Sequence, residues 1–241
     1  MMCVSTAGHR TLLRTDRILD HVARCGEPPT LSAIARAIDA PVSSTQDLVQ
    51  ELCALGYLQI SGKQYHLGLR PHVLSVIAGT ATAIGIDHSE LQRLSRVARA
   101  PVAIAVLVGH AVFYLDHAGP RAPEHTQAVA DDHRPRPPLR TAAGRLLLLA
   151  TADEPARVRI LTALRSSDPQ GIEHFSAEFP TIRRDRIARS DGLADPDITA
   201  IAIPASEGAG AFVLTAPRAP RRGRVPALEA AALRLKRECT R

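Results

Sequence analysis

The chain has 241 residues, 45% of them hydrophobic and 22% charged, which leaves room for two domains with real cores and excludes a disordered or collagen-like polymer. The formal net charge is +6, and Lys63 and Lys236 are the only lysines beside 28 arginines. A basic surplus of this kind points to an anionic partner. The longest apolar runs, such as Leu146 to Ala150, are far too short to span a bilayer. The first ten residues, MMCVSTAGHR, lack a secretory apolar core, so a cytoplasmic protein with no membrane partner is expected. Cys3, Cys25, Cys53 and Cys239 form no CxxC, which signals neither a disulfide framework nor a zinc site.

Taken in chain order, residues 15–25 read as a helix that Thr15 or Asp16 can cap, with Ile18, Leu19, Val22 and Ala23 on one apolar stripe. Gly26 to Pro29 breaks it. Thr30 then precedes a short helix with Leu31, Ile34, Ala35 and Ile38 at helical spacing. Asp39 to Val42 is a tight turn in which Asp39 can take a left-handed conformation. Ser43 is an N-cap candidate for a third helix that turns Leu48, Val49, Leu52 and Leu55 inward, and Gly56 ends it. Residues 57–60 and 64–67 are two short strands about Ser61-Gly62-Lys63, a hairpin.

Three helices followed by a hairpin predict a winged helix-turn-helix. The short turn lets the second helix brace the third, whose first residues then project. Ser43, Ser44, Thr45 and Gln46 are hydrogen-bonding residues at that projecting end, suited to phosphates and base edges. Lys63 sits at the wing tip, and Thr30, Gln50 and Gln64 complete the candidate DNA-contact set. Charge does not help the case. Residues 1–75 hold seven basic and six acidic residues, a net charge of +1, so +5 falls on the remainder. The same fold pattern also serves protein-binding modules.

Pro71 to Ile86 is mostly small and apolar and reads as a connecting helix. Asp87 to Glu90 is a capping-box-like start for a helix with Leu91, Leu94 and Val97 on one face. Pro101–Val108 and Ala111–Leu115 read as strands about Gly109-His110, and residues 116–138 as a long loop. Thr141 opens an apolar helix, 142–150. Another starts at Asp153-Glu154-Pro155, a third covers Phe175 to Ala188 with Pro180 interrupting, and the last is Val225 to Glu238. Ile198–Ile203 and Ala211–Thr215 are strands. The expected result is a mixed sheet with helices on it, in the manner of a small-molecule sensor.

The segments Leu31 to Thr45, Leu55-Gly56-Tyr57-Leu58 and Tyr65-His66-Leu67-Gly68 resemble LAELARATGLPKST, GYL and YRLG of the IclR family of bacterial transcriptional regulators. Val102 to Leu107, Val112 to Asp116, Pro138 to Arg145 (similar to PLHATALGK) and Ile201 to Pro204 (similar to IAAPV) follow in the same order. The resemblance implies an α+β chain: a winged helix-turn-helix over residues 1–75, a linker helix over 76–88 and a GAF-like effector domain over 89–241. It implies homodimers or tetramers on palindromic double-stranded operators, a small organic or aromatic acid as effector, and no cofactor. Asp47 stands where the family often has arginine, Arg145 replaces an effector-loop lysine, and the stretch between Gly192 and Ile201 is short.

For the effector, the first-turn amides of Thr141, Ala142, Ala143 and Gly144 suit a carboxylate, because exposed N–H groups and the helix dipole favour anions. The alternative for Gly144 is close packing alone. Asp195 and Thr215 fall where the family places polar pocket residues, and Ala200 where it places a cysteine. His117, His125, Asp131, Asp132 and His133 match no metal-ligand spacing and read as a solvated loop. Arg218, Arg221, Arg222 and Arg224 read as an exposed basic turn. No P-loop, GxSxG or HExxH is present, so no enzyme is expected. The rival to a regulator is a winged-helix module with degenerate DNA or effector binding.

Overall fold

The computed structural model of the protein describes residues 6–78, 86–119, 133–151, 154–205, 210–218 and 224–239. The chain divides into two compact units between residues 83 and 84.

The first unit contains α1 (Thr6–Arg24), α2 (Leu31–Ala37), α3 (Val42–Ala54), β1 (Leu58–Ser61), β2 (Gln64–Leu67) and α4 (Arg70–Ile77). Helix α1 starts well before Thr15, whose hydroxyl does not cap but donates to the Thr11 carbonyl at 3.0 Å within the helix. Thr30 caps α2 as its sequence suggests, Oγ1 accepting from the Ala33 amide at 3.4 Å. Asp39 takes φ 52° in the turn, the left-handed conformation expected there. Ile18, Val22, Ile34, Ile38, Val49, Leu52, Leu58 and Tyr65 form the core. Leu55 is exposed rather than inward, because α3 ends at Ala54 and Gly56, at φ 80°, turns the chain away.

Strands β1 and β2 pair antiparallel, from Leu58 opposite Leu67 to Ser61 opposite Gln64, around Gly62 at φ 63° and Lys63. Helix α4 begins inside the segment assigned to the DNA-binding module. Residues 79–85, most of the expected linker helix, lie outside the described residues.

The second unit carries α5 (His88–Ala98), β3 (Val102–Val108), β4 (Ala111–Ala118), α6 (Ala142–Ala150), α7 (Glu154–Leu164), α8 (Pro169–Asp185), β5 (Ala188–Asp191), β6 (Ile198–Pro204), β7 (Ala211–Pro217) and α9 (Arg224–Cys239). Asp87 caps α5, accepting from the Glu90 amide at 2.8 Å. The strand order is β4-β3-β7-β6-β5, and every pairing is antiparallel. The expected mixed sheet is thus corrected: β3–β4, β5–β6 and β6–β7 are each joined by a short connection, which returns the chain antiparallel. Helix α8 also starts earlier than expected, at Pro169, with Asp168 accepting from the Gly171 amide at 3.0 Å. Ala188 belongs to a strand and not to that helix.

The sheet has two unlike faces, because β-strand side chains alternate. Val102, Ile104, Ile201, Ile203, Phe212 and Leu214 point to one face and pack against Leu91, Leu94 and Ala98 of α5 and Leu228, Ala231, Ala232 and Leu235 of α9. Ala103, Ala105, Ala200, Ala202 and Ala211 point to the other, where α6 lies with Ala142, Ala143, Leu146 and Leu147. Bulky aliphatics fill the first interface. The alanines of the second admit a close helix and leave volume where no large side chain reaches.

Candidate DNA-binding surface and ligand cavity

Helix α3 separates its residues cleanly. Thr45, Val49 and Leu52 are buried, while Ser43, Gln46, Asp47 and Gln50 are exposed. These four follow the i, i+3, i+4, i+7 spacing of one helical face. The structure therefore brings Ser43, Gln46 and Gln50 together as expected. It also corrects two expectations. Ser43 is not the cap: the helix starts at Val42 behind Pro41, whose carbonyl accepts from the Thr45 amide at 3.0 Å, the Thr45 hydroxyl at 2.9 Å and the Ser44 hydroxyl at 3.1 Å. Thr45 is completely buried, so its hydroxyl fastens the helix start and cannot reach DNA. Ser44 is half-buried with its hydroxyl already committed to Pro41.

The wing adds Lys63, exposed at the hairpin tip. Thr30 and Gln64 are joined by an antiparallel bridge, and the Tyr65 amide donates to the Pro29 carbonyl at 2.9 Å. This seats the base of the wing on the start of α2, with Thr30 and Gln64 both exposed. Asp47 shares the exposed face of α3 with Gln46 and Gln50. Its carboxylate would stand among phosphates in any docking that uses this face.

In the second unit a cavity of about 110 Å³ opens on the alanine face of the sheet. A space of that size holds a few waters, or one small organic molecule. Five residues named from the sequence line it: Thr141, Ala142, Asp195, Ala200 and Thr215. Ser190, Ala200 and Thr215 form a row across β5, β6 and β7, since Ala200 pairs with both of the others. Ala143 and Gly144 do not line the cavity. Ala143 is buried in the packing between α6 and the sheet. Gly144 lies so close to the preceding loop that an added Cβ would sit 2.2 Å from the Pro138 carbonyl oxygen, and its amide already donates to Thr141 Oγ1 at 3.1 Å. Its role is close approach, not ligand contact.

The loop before α6 is held firmly. Thr141 Oγ1 donates to the Pro137 carbonyl at 3.3 Å, and Ser190 Oγ to the Arg140 carbonyl at 2.9 Å. Arg140 meets both Asp168 oxygens, at 2.9 and 2.7 Å, and this partner holds the Asp168 carboxyl below its usual range. Arg145, at the place of the family's lysine, is fully buried. It donates to Glu178 at 2.5 Å and to the Arg189 carbonyl, fixing α6 to α8 and β5 instead of facing a ligand.

Sequence reasoning did not find Tyr114, Arg136 and Ser190 in the cavity wall. Arg136 falls in the stretch whose sequence reads as a loop, yet it makes a two-way backbone bridge with Val112, at 3.0 and 2.8 Å, along the edge of β4. Burial pushes the Tyr114 hydroxyl up to about 12, with Arg136 acting in the opposite direction.

Among the described residues no group of three or more His, Cys, Asp or Glu could hold a metal ion. His133 Nδ1 lies 2.8 Å from the Tyr114 carbonyl, while His125, Asp131 and Asp132 lie outside the described residues. Of the basic run, Arg218 pairs with Asp191 at 3.1 Å, and Arg221 and Arg222 also lie outside. No described helix is long and apolar enough to cross a membrane.

Residues 11–60 match the IclR helix-turn-helix domain family. The matched stretch takes in α2, α3 and most of α1. Solved IclR structures extend the likeness to the fold of the whole chain. An IclR homolog from Microbacterium hydrocarbonoxydans, complexed with 4-hydroxybenzoate, is 22% identical, covers 95% of this chain and 99% of its own, and has a TM-score of 0.61. The IclR transcriptional regulator of Alicyclobacillus acidocaldarius is 18% identical over 95% of this chain and 96% of its own, with a TM-score of 0.62. The Thermotoga maritima IclR is 18% identical over 96% of both chains, with a TM-score of 0.58. No curated protein sequence matches significantly. The chain thus shares the fold of these solved IclR structures, and its α3 is the second helix of the helix-turn-helix pair.

Proposed function

We propose that the chain is a ligand-responsive transcriptional regulator that binds a palindromic operator as a dimer, with affinity set by a small organic or aromatic acid in the cavity. On this reading residues 1–75 read DNA, 76–88 link, and 89–241 sense. The observation that carries it is the exposed face of α3, where Ser43, Gln46 and Gln50 align over a buried opposite side. Amides in that position pair bidentately with adenine edges, and hydroxyls serve either bases or phosphates. The cavity supports the second half of the reading, since it is small, mostly apolar in its lining, and carries a few convergent polar groups.

Selection of bound sequences from a randomised duplex pool tests this. Enrichment of an inverted repeat, with binding that falls steeply as salt rises, is the expected result. Addition of 4-hydroxybenzoate or related acids should then shift the affinity. A pool from which nothing is retained would overturn the proposal.

Asp47 favours a second reading, a winged-helix module that has lost operator binding. The two part on one variant. If α3 faces phosphates, Asp47→Asn removes a repulsion of about 1 kcal/mol and tightens duplex binding about fivefold at low salt. If the module has lost DNA binding, the variant leaves duplex affinity unchanged.

A further inference from the structure

The cavity contains a cation that neither the helix-turn-helix pattern nor the family resemblance assigns. Arg136 lines it, half-buried, together with Tyr114 on β4 and the first turn of α6. Its backbone is not loosely held. The Val112 amide donates to the Arg136 carbonyl and the Arg136 amide to the Val112 carbonyl, so the residue extends the sheet beyond β4. His133, three residues earlier, meets the Tyr114 carbonyl and secures the same segment a second time. A guanidinium on such a fixed stem is pre-organised, and its planar fork matches a carboxylate.

The other polar groups of the wall narrow what the site would take. The hydroxyls of Thr141 and Ser190 donate to the carbonyls of Pro137 and Arg140, so their protons already serve the loop. Of the four amide candidates, Ala143 and Gly144 do not line the cavity, which leaves the uncharged amides of Thr141 and Ala142. Tyr114 stays protonated at neutral pH and offers a hydroxyl beside Arg136. The alanines behind these groups cannot solvate an ion. An anion entering this space needs a charged partner, because a buried charge without one is strongly disfavoured.

We infer that Arg136 binds the carboxylate of the effector, with the Tyr114 hydroxyl as a second donor, so that this cavity selects small monocarboxylates through a side-chain cation. The inference rests on the proposed effector role of the cavity and names the residue that sets its ligand class. It moves the anion from the amides of the α6 first turn to β4 and the segment paired with it. Asp195, also in the lining, is an acceptor and suits a donor group on the ligand, as in a hydroxy acid.

Calorimetric titration of the full chain with 4-hydroxybenzoate and its neutral analogue 4-hydroxybenzamide tests this. Wild type should prefer the acid. Arg136→Gln should weaken the acid about ten- to a hundredfold while leaving the amide little changed, since a hydrogen bond to a charged group is what is lost. Arg136→Lys should keep a preference for the acid, at reduced affinity. Melting of each variant without ligand checks that the fold is intact. An acid preference that survives Arg136→Gln overturns the inference while leaving the effector reading standing. A wild-type chain that takes up neither compound nor any other small acid overturns both.

Discussion

Glu178→Ala is expected to destabilise the second unit by about 1–2 kcal/mol, less than removal of one partner from a fully buried ion pair costs, because Glu178 is itself partly screened by solvent. Arg145 is completely buried and Glu178 about half exposed (46%), so the carboxylate is the only charge facing a guanidinium that has left water. Burial lowers the Arg145 affinity for its proton, and Glu178 acts against that. Arg145 Nε finds no partner among the described residues, so the site is already imperfectly satisfied. Removing Glu178 leaves only the Arg189 carbonyl for the buried charge. Arg145→Met in the same background should recover most of the loss, because an apolar side chain of similar length suits the alanine face. Urea unfolding measures both. A Glu178→Ala change below about 0.5 kcal/mol would show that water reaches Arg145 and that the pair holds nothing together.

Gly144→Ala should cost about 1–3 kcal/mol, the range for overpacking a well-filled interior. The added carbon would meet three backbone atoms of Pro138, the nearest at 2.2 Å and the others at 2.4 and 2.6 Å. Backbone cannot turn aside as a long side chain can, so α6 and the loop before it must separate. Thr141 and Ala142, which line the cavity, sit at that junction. The variant should therefore melt earlier without any ligand present, and its melting temperature should respond less to an added acid. A variant that melts like wild type yet fails to bind would restore Gly144 as a ligand contact and contradict the packing role.

The sequence allowed the helix-turn-helix to be read well because each boundary carries local chemistry. Thr30, Asp39, Gly56 and Gly62 each do at their position what their side chain or its absence suggests. The start of α3 lies two residues before the one its sequence suggests, since the cap position falls on Pro41, whose carbonyl accepts from the Ser44 and Thr45 hydroxyls. That shift matters for function: it moves Thr45 inside and leaves Gln46, Asp47 and Gln50 as the outer face. In the second unit the strands with alternating Ile and Ala were visible, but what the alternation meant was not. Only pairing shows that Ala103, Ala105, Ala200, Ala202 and Ala211 share one face. Arg136 was hidden for a related reason, because a bridge to Val112 across a long loop leaves no periodic signal.

The arginine surplus is also clearer. Arg93, Arg140, Arg145, Arg157, Arg184, Arg189 and Arg218 all pair with carboxylates inside the second unit. These pairs are charge-neutral, so they account for many of the arginines but not for the net positive charge, and the proposed DNA recognition rests on the few polar residues of α3 and the wing.

The most direct test of that recognition is a comparison of wild type and Gln46→Ala/Gln50→Ala on a selected duplex across a range of salt. The account predicts at least a tenfold loss of affinity, about 1.4 kcal/mol, with the slope against salt nearly unchanged, because amides that read bases release no counterions. Equal affinity for the two proteins on that duplex would contradict it.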